Sequence, residues 1–136
     1  MPYKDKQDSN KQHLSRYHDR IKRGLCPQCP NLLAPNRSRC KNCGIIARLK
    51  RMKLSEEDKI KVLEAFKNFG GICSICGISN PGNSKDWDID HCHATNKFRG
   101  IICHHCNCVL GYAKDSIKIL EEAILYLKNF NGEMNL

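Results

Sequence analysis

Eight of the ten cysteines in this 136-residue chain fall in four Cys-x-x-Cys pairs: Cys26/Cys29, Cys40/Cys43, Cys73/Cys76 and Cys103/Cys106. That spacing constrains the fold more than any other feature of the sequence. Each pair presents two thiolates to one ion, and two pairs complete a tetrahedral zinc site. The N-terminus, Met-Pro-Tyr-Lys-Asp-Lys-Gln-Asp, lacks the apolar stretch of a secretory signal. No apolar run approaches the roughly 18 residues that span a bilayer. The expected setting is soluble, cytoplasmic and reducing, where thiols bind zinc instead of forming disulfides. Two structural zinc ions are expected. Loop-closure entropy favours pairing Cys26/Cys29 with Cys40/Cys43, ten residues on, over pairing with the distant Cys103/Cys106.

The net charge of +9 is unevenly divided. Residues 1–54 carry 14 Lys/Arg against 3 Asp/Glu, or +11, whereas residues 55–136 carry 9 against 11, or −2. Two domains are expected at that boundary. The first is a basic helix plus a four-cysteine ribbon that grips a polyanion, with nucleic acid the obvious partner. Its duller reading is a solvated basic tail. Residues 1–8 read as irregular. Ser9 to Gly24 reads as a helix with Leu14, Tyr17 and Ile21 on one face and Gly24 as its C′ residue. Arg16, Arg20 and Arg23 are its candidate DNA contacts. The ribbon adds Arg37, Arg39 and Lys41 around a hairpin with a turn signal at Pro35-Asn36. A basic helix over residues 45–53 adds Arg48 and Arg51. The ribbon either reads DNA or staples a region short of apolar material.

In the second part, Ser55 caps a helix running to about Phe69, with Val62, Leu63, Phe66 and Phe69 inward and Gly70-Gly71 as its end. A strand from Trp87 to about His91 and another over Phe98–Ile102 form a hairpin. A helix follows from Cys103, stopped by Gly111. Asp115 or Ser116 caps a last helix whose wide apolar face must pack on the core or on a partner chain. The second cysteine set encloses 26 residues and would clamp the hairpin to the helix after Cys103. Four thiolates leave no open position, so this zinc is expected to be structural.

What the clamp gathers is Asp90, His91 and His93 from the hairpin and Asn107 from the helix. A carboxylate and an amide oxygen suit a hard ion such as Mg²⁺. A neutral imidazole nearby can take a proton from water, and the ion offsets developing phosphate charge. Strand alternation points Asp90 and His91 to opposite faces, so the strand must end or bulge there. Arg99 is a phosphate-contact candidate. His104 and His105 read as spacers, Asp88 as a solvated strand-edge acid, Trp87 as core, and Cys92 and Cys108 as packed thiols.

Residues 70–115 resemble the phage recombination endonuclease VII family, a branch of the His-Me finger (HNH-type) nucleases. The matching residues are Cys73-x-x-Cys76-Gly77, Asp90-His91-x-His93, Arg99-Gly100-Ile101-Ile102-Cys103 and Cys106-Asn107, with Gly111 beyond. Cys92 departs from the acid common between the two histidines. The resemblance implies a small α+β fold with a ββα-metal core, zinc-stapled and preceded here by the N-terminal ribbon. It also implies His91 as general base, Asp90 and Asn107 as ligands of one catalytic Mg²⁺ (or Mn²⁺), and His93 as a further active-site residue. The expected activity is a DNA endonuclease, phage or bacterial, that either resolves branched DNA or cuts or nicks duplex DNA at specific sites. A homodimer would supply two active sites for two nicks. The alternative is a non-enzymatic two-zinc DNA-binding regulator.

Overall fold

The computed structural model describes residues 6–83 and 85–130, with side chains from Asn10 onward. The elements are α1 (Lys6–Lys22), α2 (Lys41–Leu49), α3 (Glu56–Lys67), β1 (Asp88–His91), β2 (Phe98–Ile102), α4 (His104–Tyr112) and α5 (Ile117–Phe130). This is a small α+β fold with one two-stranded antiparallel sheet among the described residues. It divides into two compact units, Met1–Met52 and Lys53–Leu136. None of the described helices is long and apolar enough to cross a membrane.

In the first unit, α1 already begins at Lys6, inside the stretch expected to be irregular. Lys6-Gln7-Asp8 contains no helix breaker, so Ser9 does not have to start the helix. Residues 1–5 of that expectation lie outside the described residues. Gly24 ends the helix as its sequence predicts. At φ +68° it donates to Ile21 O (2.9 Å), while Leu25 N–H reaches Arg20 O (2.9 Å), a Schellman closure.

The expected hairpin between the two knuckles is replaced by one antiparallel bridge, Leu25 to Leu32, which encloses the first knuckle alone. Pro27, Pro30 and Pro35 have no N–H to offer a longer ladder. Instead of spanning residues 45–53, α2 starts at Lys41 because the Cys40 sulfur caps it, accepting from Cys43 N–H at 3.5 Å. It ends at Leu49, where Arg51 and Met52 tighten back onto Arg48 O and Leu49 O. Cys26, Cys40, Ile45 and Leu49 are the buried residues of this unit.

In the second unit, Ser55 Oγ caps α3 by accepting from Asp58 N–H at 3.1 Å. Val62 is fully buried, but Leu63, expected inward, is 40% exposed because α3 presents only a narrow face to β2. Phe66 meets Phe69 (6.0 Å), which meets Trp87 edge-on (4.9 Å between ring centroids). Trp87 in turn packs, with Cys106 and Leu110, on the buried cluster of Cys73, Ile102 and Cys103.

Helix α4 is capped by the Cys103 sulfur and passes through Gly111 to Tyr112. Its closure comes three residues after the expected stop: Lys114 N–H bonds Gly111 O and Asp115 N–H bonds Leu110 O, both at 3.0 Å. Lys114 (φ +54°) and Asp115 (φ +56°) adopt left-handed backbone without being glycine. Each such residue costs on the order of 1–2 kcal/mol. Ser116, not Asp115, then caps α5, accepting from Ile119 N–H at 3.3 Å. The apolar face of α5 stays open to solvent within this chain, with Ile117, Tyr126 and Phe130 all more than 70% exposed. Val62→Ala is expected to lower stability by roughly 1–3 kcal/mol, read from denaturant midpoints; an unchanged midpoint would show that the interior does not depend on α3.

Candidate active site and metal centres

The sulfurs of Cys26, Cys29, Cys40 and Cys43 all lie within 4.8 Å of one another, as do those of Cys73, Cys76, Cys103 and Cys106. Four thiolates about 2.3 Å from one zinc ion stand about 3.8 Å apart, so both cages have the size and donors that zinc requires. Without an ion the thiols share protons unevenly. Burial would raise Cys26, but backbone N–H groups of Cys40 and Gln28 hold it down at about 6. Cys43, bonded to the Cys29 sulfur, is pushed up to about 12. Cys73 repeats the first pattern at about 6, and burial drives Cys106 upward. A bound dication would favour the thiolate form of all four sulfurs, leaving each site at a net charge of −2. Around the first cage Arg20 donates to Cys26 O (2.9 Å) and Cys29 O (2.7 Å), so this candidate DNA contact is committed to the knuckle backbone.

The hairpin contains the irregularity that its sequence demands. Asp88 pairs with Ile102, Ile89 with Ile101 and Asp90 with Gly100, but His91 pairs with Phe98. Arg99 is therefore the extra residue, and the register shifts by one between Asp90 and His91. It also turns Arg99 to the Asp90 side. Arg99 Nε donates to Asp90 Oδ2 (2.7 Å) and Nη2 to Oδ1 (2.8 Å), a bidentate pair around a buried carboxylate.

The same Nη2 reaches Asp115 Oδ1 (2.9 Å), and Asp115 Oδ2 bonds His93 Nδ1 (2.8 Å). The rings of His93 and His91 are 5.1 Å apart, centroid to centroid. One polar chain thus runs Asp90, Arg99, Asp115, His93, and ends beside His91. The His91 imidazole has no hydrogen-bond partner among the described residues. Pairing with Asp90 first, and with Asp115 second, raises the already high pKa of the Arg99 guanidinium. The Arg99 and His93 contacts hold the Asp115 carboxyl down at about 2.

Asn107 is joined to a different carboxylate. Its Nδ2 donates to Asp88 Oδ2 (2.8 Å), which also bonds His104 Nδ1 (3.1 Å). Asp88 is therefore no solvated acid, its side chain being 15% exposed, and His104 is more than a spacer. No hydrogen bond joins Asp90 to Asn107. His105 covers Gly82, where an added Cβ would meet the ring at 2.7 Å. Sequence reasoning treated Asp115 only as a helix cap. The signal that could have found it is the competing capping residue Ser116, which frees Asp115 for other work.

In the first unit Arg39, Lys50 and Arg51 surround a concavity with Gln28, Cys43, Ile46 and Ala47. These three cations have no side-chain partner among the described residues. Arg16, Arg37, Lys41 and Arg51 are exposed, Arg48 is half-buried, and Arg23 faces Asp19 at 3.6 Å.

The model of the recombination endonuclease VII family matches residues 47–129. The chain is 45% identical over 60 residues to the Gene 59 protein of Mycobacterium phage D29, covering 43% of this chain and 36% of that protein. It is 44% identical over 61 residues to the Gene 59 protein of Mycobacterium phage L5, covering 44% and 37%. The match thus spans little more than a third of these relatives. The crystal structure of the ββα-Me type II restriction endonuclease Hpy99I aligns with a TM-score of 0.49 at 36% identity, over 69% of this chain and 50% of that one.

The lowered Asp115 pKa sets a sign. Its stabilising contribution is complete above the ordinary value of 3.8 and disappears only as pH falls through about 2. The Asp115 side-chain carboxyl resonance is expected to stay at its ionised position at about pH 4.5, where an ordinary aspartate is already about one-fifth protonated. A carbon chemical shift moving with the other aspartates would contradict the pairing.

Proposed function

Because the chain belongs to the recombination endonuclease VII family, we propose that its second unit hydrolyses DNA phosphodiester bonds with one divalent cation and a histidine base. The observation that carries this is the bulged hairpin, which sets His91 beside a chain of groups leading to the buried Asp90. His91, unbonded and half-buried, takes the proton from an attacking water. His93 stands next to it. Asp90 and Asn107 are the oxygen donors for Mg²⁺ or Mn²⁺, and Asp88 commits the Asn107 amide nitrogen, leaving its carbonyl oxygen for the ion. The cation supplies charge compensation at the phosphate when bound. Asp90 would hold it through oxygens that Arg99 also engages, and the Arg99 guanidinium beside them suits a substrate phosphate. The two cysteine cages take structural zinc.

The basic first unit grips the DNA, with Arg39, Lys50 and Arg51 around the concavity as backbone contacts. Cutting both strands requires a second active site, which a homodimer supplies. The open face of α5 is the apolar surface available to a second copy.

Purified protein is expected to nick supercoiled plasmid with Mg²⁺ and not with chelator. A four-way junction and matched linear duplex, run alongside, separate branched-DNA resolution from duplex cutting. His91→Ala should abolish cleavage while two zinc ions per chain and DNA affinity persist. Wild-type protein that never nicks any of the three substrates would sink the enzyme reading. For the grip, Arg39→Ala with Arg51→Ala should weaken binding and reduce the slope of log affinity against log salt by roughly 2. An unchanged slope in fluorescence anisotropy would remove the first unit from DNA contact.

A further inference from the structure

We infer that Asp115 is a positioning residue for cleavage, holding Arg99 and His93 together through the two oxygens of one carboxylate. The inference rests on the nuclease reading above. Three observations of different kinds meet at this side chain.

The first is its bonding. Oδ1 accepts from Arg99 Nη2 at 2.9 Å, and Oδ2 bonds His93 Nδ1 at 2.8 Å and the His93 backbone N–H at 3.4 Å. An ionised carboxylate only accepts, so Nδ1 of His93 carries the hydrogen. That fixes the tautomer of a ring whose side chain is 65% exposed, and leaves Nε2 as the atom turned to other chemistry. The second is its placement. Asp115 is delivered by two successive left-handed residues, itself and Lys114, locked by bonds to Leu110 O and Gly111 O. A helix end alone does not require this, since Ser116 already caps α5.

The third is the sharing of Arg99. Its Nη2 lies between Asp90 Oδ1 (2.8 Å) and Asp115 Oδ1 (2.9 Å), while Nε serves Asp90 alone. Were Asp90 to hold a cation, Asp115 would be the anchor that keeps the guanidinium in the site. When Asp90 is free, the same anchor sets the angle of the bidentate pair. Asp115 touches no reacting atom in either case; it acts through the two residues it holds.

The test compares Asp115→Asn and Asp115→Glu in the full chain. Imidazole nitrogen NMR of His93 should show the Nδ1-protonated tautomer in the wild type, a mixture in Asp115→Asn and recovery in Asp115→Glu. Plasmid nicking should lose roughly 10- to 100-fold in kcat for Asp115→Asn with KM little changed, and regain part of it in Asp115→Glu. Zinc content and far-UV circular dichroism should match the wild type in both. Wild-type kcat in Asp115→Asn, or an unshifted tautomer, overturns the inference while leaving the nuclease reading intact. Loss of zinc or of helicity in both variants also overturns it, because Asp115 would then be a structural strut. Absence of nicking by the wild type fails the nuclease reading itself, and with it any role in cleavage, whatever the NMR shows.

Discussion

The cage of Cys73, Cys76, Cys103 and Cys106 holds the second unit together. It joins two turns with 26 residues between them, and everything that carries the proposed chemistry except Asn107 and Asp115 lies inside that loop. Cys103 alone serves three ends: it is a cage member, its sulfur caps α4, and its N–H bonds the Cys73 sulfur at 3.3 Å. The apolar interior is small, with Val62, Ile89, Ile101 and Ile102 as its largest buried side chains alongside Leu54. Such an interior does not by itself fix a two-stranded hairpin, which is marginal in water. With zinc bound, the sulfur cage would supply the missing constraint at the root of the helix that carries Asn107.

The electrostatics of the site follow from that clamp. Two carboxylates, Asp90 and Asp115, face each other across one guanidinium, and a third, Asp88, sits between His104 and Asn107. Each acid is assigned a partner, so the site is ordered before any cation or phosphate arrives. The first unit is organised differently: many of its cations are exposed, and Arg20 is spent on holding a knuckle.

What could be read from the sequence was whatever has a local signature. Ser55, Gly24 and the strand–turn–strand pattern around Asp90 each announce a conformation through residue type alone. The need for the strand to end or bulge at Asp90-His91 could also be read, because period-two alternation conflicts with two neighbouring candidate site residues. Which strand would carry the extra residue could not, since Arg99 looks like any strand residue until it finds Asp90. The start of α2 was hidden for a related reason: a cysteine sulfur is not among the preferred caps, yet Cys40 acts as one, whereas the start of α4 after Cys103 was legible. Lys114 and Asp115 were hidden most completely. Left-handed backbone is advertised by glycine, and here a lysine and an aspartate adopt it under tertiary demand.

The bulge has a consequence for how such a chain can change over generations. Arg99 is the one residue whose removal would make the hairpin more regular, bringing Phe98 into step with its neighbours and restoring an unbroken ladder. A single-codon deletion there would cost no cage, no core side chain and no cap, but it would strand the buried Asp90 carboxylate, a loss of about 3–5 kcal/mol. Its entire effect falls on Asp90 and Asp115, left as two carboxylates without the cation between them. The ladder and the ion pair pull in opposite directions in this hairpin, and the irregular version persists because the buried Asp90 needs the guanidinium that the bulge delivers.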